Sequence, residues 1–303
     1  MGLQAFDPLW DYARPGETET RFRKLLPEYE AAGAPGPLAE LLTQIGRALG
    51  LQQLFDEAHA VLDRADALIA AGGGTPGAGP LEVARVRSLL ERGRVCNSSG
   101  ARSRSAPLFH EAYLAALALG ADDHAVDAAH MLEIVETGTT KLEWNAKAVA
   151  HAEASADPRA RRWLGALYNN RGWTLHELGR LDEALEMFEA RLAWLERNPP
   201  AEGRERHDTE IGIAHWSIAK MFRLLGRVDE ALEIQERLMR TQSGGEDGFV
   251  YEELAECLLV LGRADEARAH FARAHAMLSQ DPWLVRNEAA RLERLAKFAR
   301  GAA

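Results

Sequence analysis

Three stretches of this chain are near-copies of one another: LGRLDEAL at 178–185, LGRVDEAL at 225–232 and LGRADEAR at 261–268. In each, a run of apolar residues at helical spacing leads into the glycine and another leads away from it. Glycine readily takes the left-handed conformation that ends a helix, so Gly179, Gly226 and Gly262 mark three helix ends. Asp182, Asp229 and Asp265 then fall in the first turn of the following helix, where a carboxylate meets the positive end of the helix dipole. Each copy predicts helix, tight turn, helix.

Fainter copies lie on either side. Small residues recur twelve apart at Gly46/Ala58, Gly93/Ser105, Gly172/Ala184, Ala219/Ala231 and Ala255/Ala267, with Ile134/Ala146 as a sixth pair. A small residue at matched depth on each of two antiparallel helices lets the helices approach closely. Four residues beyond the second member stands a large filler, Leu62, Phe109, Phe188 or Phe271, whereas Ala150 and Gln235 occupy that place in the other two copies. First small residues at 46, 93, 134, 172, 219 and 255 give steps of 47, 41, 38, 47 and 36. The excess length falls between copies. Gly72–Gly79 reads as a flexible connection. So do Asn198–Gly203 and Ser243–Gly245.

The pattern resembles the tetratricopeptide repeat. Tyr251, Leu254, Ala255, Gly262, Ala267, Phe271, Ala274 and Pro282 match that family's motif best, followed by Tyr168, Gly172, Leu175, Gly179, Ala184 and Phe188. Six units of 34 residues can be placed, at 39–72, 86–119, 127–160, 165–198, 212–245 and 248–281, about two-thirds of the chain. The resemblance implies an all-α fold, a right-handed superhelical solenoid of helix hairpins with about thirteen to fifteen helices. Residues 1–38 are then an N-terminal helical cap, with a helix over Glu17–Glu30 capped by Thr18. Residues 282–303 form a C-terminal capping helix opened by Asp281 as N-cap and Pro282 at its first position. There Trp283, Leu284 and Leu292 are expected to dock, with the arginines facing water.

Bulk properties narrow the function. With 36 basic and 46 acidic residues the net charge is −10, the wrong sign for a nucleic-acid partner. No apolar run approaches the ~20 residues of a membrane span. The segment Met1–Trp10 has neither the basic nor the apolar region of a signal peptide, and Phe6 stands where a myristoylation signal at Gly2 needs Ser or Thr. Cys96 and Cys257 read as small buried hydrophobes in a reducing, cytoplasmic setting.

Catalytic patterns are fragmentary. His110-Glu111 and His176-Glu177 lack the second histidine of a zinc-protease motif. His207-Asp208 precedes an ordinary repeat helix, His270 and His275 do not share a helix face, and Gly72–Gly79 lacks the lysine of a phosphate-binding loop. The expectation is a non-enzyme without cofactor or metal.

In the family this chain resembles, positions 2, 5, 9 and 12 of each unit line a concave groove, and steps of three and four do keep residues on one helix face. The resemblance thereby selects Arg87 and Arg94, then Asn169, Trp173 and His176 with Asn170 beside them, then Trp216, Lys220 and Arg223, then Glu252 and Glu256 with Glu253 nearby. Two adjacent asparagines inside a helix each cost up to ~0.7 kcal/mol relative to alanine. Their amides could clamp an extended peptide or simply bond a neighbouring helix. Basic Lys220 and Arg223 leading into acidic Glu252 and Glu256 would orient such a peptide. Asn170 fits the middle position of the clamp by which some members hold a terminal carboxylate, but Ile213 and Ser217 stand where that clamp needs Lys and Arg. The expected function is a protein- or peptide-binding scaffold. The alternative is a regulatory sensor holding a small molecule or signalling peptide in the same groove.

Circular dichroism tests the fold class: the far-ultraviolet spectrum should be overwhelmingly helical, and substantial strand content would refute the repeat assignment.

Overall fold

In the computed structural model, residues 6–72, 79–200, 203–241 and 247–301 are described. Residues 1–5 of the leader reading, the centres of the Gly72–Gly79 and Asn198–Gly203 connections and all of Ser243–Gly245 lie outside them. The chain divides into two compact units, Met1–Leu167 and Tyr168–Ala303. Among the described residues both contain helices and no strand.

The first unit opens with a 3-10 turn, Asp7–Leu9, and α1, Pro15–Ala31. Three antiparallel hairpins follow: α2 Pro35–Leu51 with α3 Phe55–Ala71, α4 Pro80–Ser98 with α5 Arg102–Leu119, and α6 Asp122–Val135 with α7 Gly138–Ala154. Helices α2, α4 and α6 also pack side by side. A four-residue α8, Pro158–Arg161, precedes α9, Leu164–Glu177, which runs into the second unit. There the elements are α10 Leu181–Arg197, α11 Arg204–Leu224, α12 Val228–Met239, α13 Gly248–Val260, α14 Ala264–Leu278, α15 Pro282–Asn287 and α16 Ala289–Ala299.

The three near-copies are hairpin turns built alike. Gly179, Gly226 and Gly262 have φ of 72°, 82° and 74°. The next N–H in each turn reaches back five residues, from Arg180 to Leu175, Arg227 to Phe222 and Arg263 to Leu258, at 2.8–2.9 Å. This closes off carbonyls that the helix end leaves without a partner. The arginine after each glycine pairs with the glutamate three residues on: Arg180–Glu183, Arg227–Glu230 and Arg263–Glu266. These pairs are exposed and add little stability.

Packing inside the hairpins follows the small-and-large pattern. The Phe109 ring lies on the bare backbone of Gly93, where an added Cβ would come within 2.4 Å of it. Phe188 lies on Gly172 in the same way, at 2.6 Å. Leu62, Phe109, Phe188 and Phe271 are fully buried, with Ala58, Ala184 and Ala267 beside them on the same helices. The proposed pair Ile134/Ala146 does not join this pattern. Ile134 is 37% exposed, and Ala146 faces outward too. Helix α7 instead buries Trp144, Asn145, Ala148 and Ala152.

The ends of the chain depart from expectation in three places. Thr18 is no cap: it sits inside α1, fully buried, accepting the Asp11 N–H and donating to the Asp11 carbonyl, each at 3.0 Å. It thereby ties down the segment before α1, whose Trp10 donates to Gln44 at 2.8 Å. At the other end Asp281 caps Pro282–Asn287 as expected, but the helix breaks at Glu288 and restarts as α16. Leu284 and Leu292 dock, whereas Trp283 stays 59% exposed.

Gly172→Ala isolates the close contact. Alanine is the better helix former, yet overpacking against Phe188 should cost a net ~1–3 kcal/mol, read as a lower urea midpoint. A neutral or stabilising result would mean that Phe188 does not need the bare backbone.

Candidate binding face

In the second unit α9, α11 and α13 bring one aromatic residue each to a common face. Trp173 and Trp216 have ring centroids 5.8 Å apart, and Trp216 and Phe249 6.2 Å apart. Trp173 also packs edge-on against Phe188 at 5.0 Å and against His176 at 5.5 Å. The Trp216 indole donates to the Phe249 carbonyl at 3.0 Å, which ties α11 to α13. Cations lie over two of the rings, Lys220 over Trp216 at 5.3 Å and Arg291 over Phe249 at 5.1 Å, an attraction to the negative ring face.

The charges on this face are paired internally. Glu253, its side chain only 2% exposed, holds both Lys220, at 3.4 Å, and Arg223. Glu252 accepts from Arg291 at 2.5–3.0 Å, and Glu256 from Arg294. The arginines of α16, expected to face water, thus reach back to α13. A basic patch leading into an acidic one is therefore not presented bare, because each carboxylate already has its cation. Burial would raise the Arg223 cost of remaining charged, yet bonding to Glu253 more than offsets this and holds its pKa up. Removing Arg223 would leave a buried carboxylate short of its partner, an expensive defect.

Of the two asparagines, Asn169 accepts from Arg191 of α10 at 2.8 Å, so its amide serves the hairpin. Asn170 is half-buried, and its backbone carbonyl accepts the Thr174 hydroxyl at 3.0 Å. His176 is half-buried rather than open to the groove, and burial and the Lys220 charge push its pKa down.

Arg87 and Arg94 belong to the first unit, on its own row of packed helices. Arg87 pairs with Glu40 of α2 at 3.0 Å. Arg94 pairs with Glu91 at 2.6 Å and with Asp127 of α6. Arg47 joins them through Glu91 at 3.2 Å. Burial, then the charge of Arg87, push the neighbouring His124 down to about 4.

Neither cysteine is bonded, and burial pushes the Cys257 thiol up to about 12, far from a reactive thiolate. Among the described residues no group of three or more His, Cys, Asp or Glu side chains could hold a metal ion, and no helix is long and apolar enough to cross a membrane.

Residues 165–192, which span α9 and most of α10, match the family model described as tetratricopeptide repeat. That segment is a tetratricopeptide repeat. No characterised protein sequence matches it. Among solved structures, this chain is similar to a signal-transduction ATPase with numerous domains from Pyrococcus horikoshii that has a tetratricopeptide repeat sensor. There the TM-score is 0.71 at 12% identity, over 93% of this chain and 41% of that one. It is also similar to the apo quorum sensor NprR of B. thuringiensis, with a TM-score of 0.63 at 14% identity over 94% and 76% of the two chains. For BtubC of P. vanneervenii the values are 0.56 and 14%, over 78% and 90%. At these identities the likeness is one of fold.

His124 gives a pH dependence. Its folded pKa of about 4 lies below the unfolded value near 6.5, so between them only the unfolded chain binds the proton. Stability should fall as pH drops through that window. His124→Gln should flatten the fall in urea midpoint, leaving the smaller contributions of His176, His215 and His270, whose pKa values burial also lowers. An unchanged slope would show that His124 is not held neutral.

Proposed function

We propose that this chain is a non-catalytic scaffold that binds a protein or peptide, and that the Trp173–Trp216–Phe249 face is where it binds. The observation that supports this most is the ring ladder itself. Three aromatic side chains from the alternate helices α9, α11 and α13 meet on one face with cations over two of them, and such rings beside fixed charges are the usual makings of a binding hot spot. Because Lys220, Arg223, Glu252 and Glu256 are already paired, they act by holding the rings in place, and recognition falls mainly to ring faces and to the half-buried amide of Asn170. In this reading the units 39–72, 86–119, 165–198, 212–245 and 248–281 keep their register, the unit placed at 127–160 shifts onto the α6–α7 hairpin, Asp122–Ala154, and 1–38 and 282–303 are the caps. The protein works in the cytoplasm, without cofactor, away from nucleic acid and membrane. Arg87 and Arg94 have a structural role in the first unit.

The test must leave Arg223 in place, since Glu253 depends on it. Asn170→Arg with Lys220→Gln alters the face while Glu253 keeps Arg223. Partners captured from a lysate by the wild-type chain would be identified, purified and titrated against both proteins. The variant should melt within a few degrees of wild type and bind at least about tenfold more weakly. Unchanged affinity in a folded variant would move binding to another surface.

A further inference from the structure

Several glycines inside the helices of this chain have visible packing reasons, and Gly212 has none. At Gly46, Gly93 and Gly172 an added Cβ would come within 2.4–2.9 Å of Leu62, Phe109 or Phe188, so packing demands the bare backbone. Gly212 lies well inside α11, where glycine is a poor helix former. Its φ is not positive, and the nearest atom to an added Cβ is the Leu238 Cδ2 at 4.0 Å, an ordinary contact. Nothing in the described chain requires glycine there.

Gly212 lies between two clefts: a charged one bordered by Arg204, Glu205, Asp208, His215 and Arg237, and an apolar one of about 400 Å³ between α11, the end of α12 and the start of α13. Ile213, Trp216, Leu238 and Phe249 supply the apolar walls of the second. Ile213 is 41% exposed and so leaves its side chain available to a ligand. A cleft of this size is within the range of small-molecule sites.

The side-chain donors of the described lining are occupied. The Trp216 indole N–H goes to the Phe249 carbonyl, the Thr209 hydroxyl to Glu205 and the Thr241 hydroxyl to Leu238. Asp247 is the ionisable group among the described lining residues, and its carboxylate caps α13 by accepting the Phe249 N–H at 2.8 Å. Its burial raises its pKa, so the surroundings already disfavour charge. An extended peptide would bring C=O groups needing donors that this described lining does not spare. A charged ligand would be desolvated without compensation.

We propose that this cleft binds a small, uncharged, predominantly apolar molecule that rests against the bare backbone of Gly212. The missing side chain leaves room for the ligand, as glycine does wherever a ligand approaches a backbone closely. The site lies beside the ring ladder, shares Trp216 and Phe249 with it, and stands whether or not that face binds a peptide.

Titration calorimetry on the full chain would use indole and toluene as neutral probes, tryptamine and indole-3-acetate as charged counterparts, and N-acetyl-leucyl-leucine amide as a peptide probe. Indole and toluene should bind saturably at one site, with the charged compounds at least about tenfold weaker. Gly212→Leu, which fills the cleft from its floor, should melt no lower than wild type and lose indole binding. Ile213→Glu, at an exposed position, should keep the helical spectrum and lose it too. Absence of saturable binding by both neutral probes would overturn the proposal. So would equal affinity for the charged compounds, retained indole binding in both folded variants, or displacement of indole by the peptide at lower concentration than indole itself requires.

Discussion

The close approach of two helices in a hairpin rests on a missing side chain. Where Gly93 faces Phe109 and Gly172 faces Phe188, the ring takes the space a Cβ would fill, and the helices approach more closely than a side chain at that glycine would allow. That contact sets the depth at which alanines such as Ala184 are buried, and so which face of each first helix remains for a neighbour or a ligand. The copy with Ala219 and Gln235 shows what happens when the filler changes. Gln235 is completely buried where Phe188 and Phe271 stand in the neighbouring hairpins, and its amide finds no hydrogen-bond partner among the described residues. An unpaired buried amide costs on the order of 1–3 kcal/mol, which marks the α11–α12 hairpin as the least favourably filled of the three in the second unit.

Charge does a different job. In both units arginines and carboxylates on adjacent first helices bond across the row, Glu40 with Arg87, Arg94 with Asp127 and Glu253 with Arg223, and Arg291 of the capping helix α16 extends the row to Glu252. Pairs buried to this degree add little net stability, because desolvation offsets most of the attraction, but breaking one is costly. They therefore restrict how neighbouring helices can slide or rotate. A face held in this way is preorganised, and a ligand that binds it loses less to ordering. The same pairing cancels the charge that a bare reading of Lys220 and Arg223 would assign to the groove.

The glycine ends, the acidic first turns and the small-and-large spacing were all legible in the sequence, because each depends on residues within one hairpin. Gly179, Gly226 and Gly262 are left-handed and Phe188 covers Gly172, as local chemistry requires. The spacing misled at Ile134/Ala146, where no glycine or aromatic filler fixed the register and α7 turned Trp144 and Ala148 inward instead. Thr18 misled as well. A threonine near a helix start reads as a cap, and only the folded chain shows that its hydroxyl is taken by Asp11 from the segment ahead.

By itself the sequence determined that this is a chain of helix hairpins, where each hairpin turns, and which residue types line the first helices, since periodicity and turn chemistry are properties of short segments. Only the tertiary structure decided the state of those lining residues. Asn169 bonds Arg191 within its own hairpin, while Lys220 and Arg223 share a carboxylate some thirty residues away, Glu252 and Glu256 are covered by arginines of α16, and Gly212 opens onto a cleft. The physical reason is distance: a side chain's partner is fixed by which helices pack together, and helical spacing gives its face but not its neighbour.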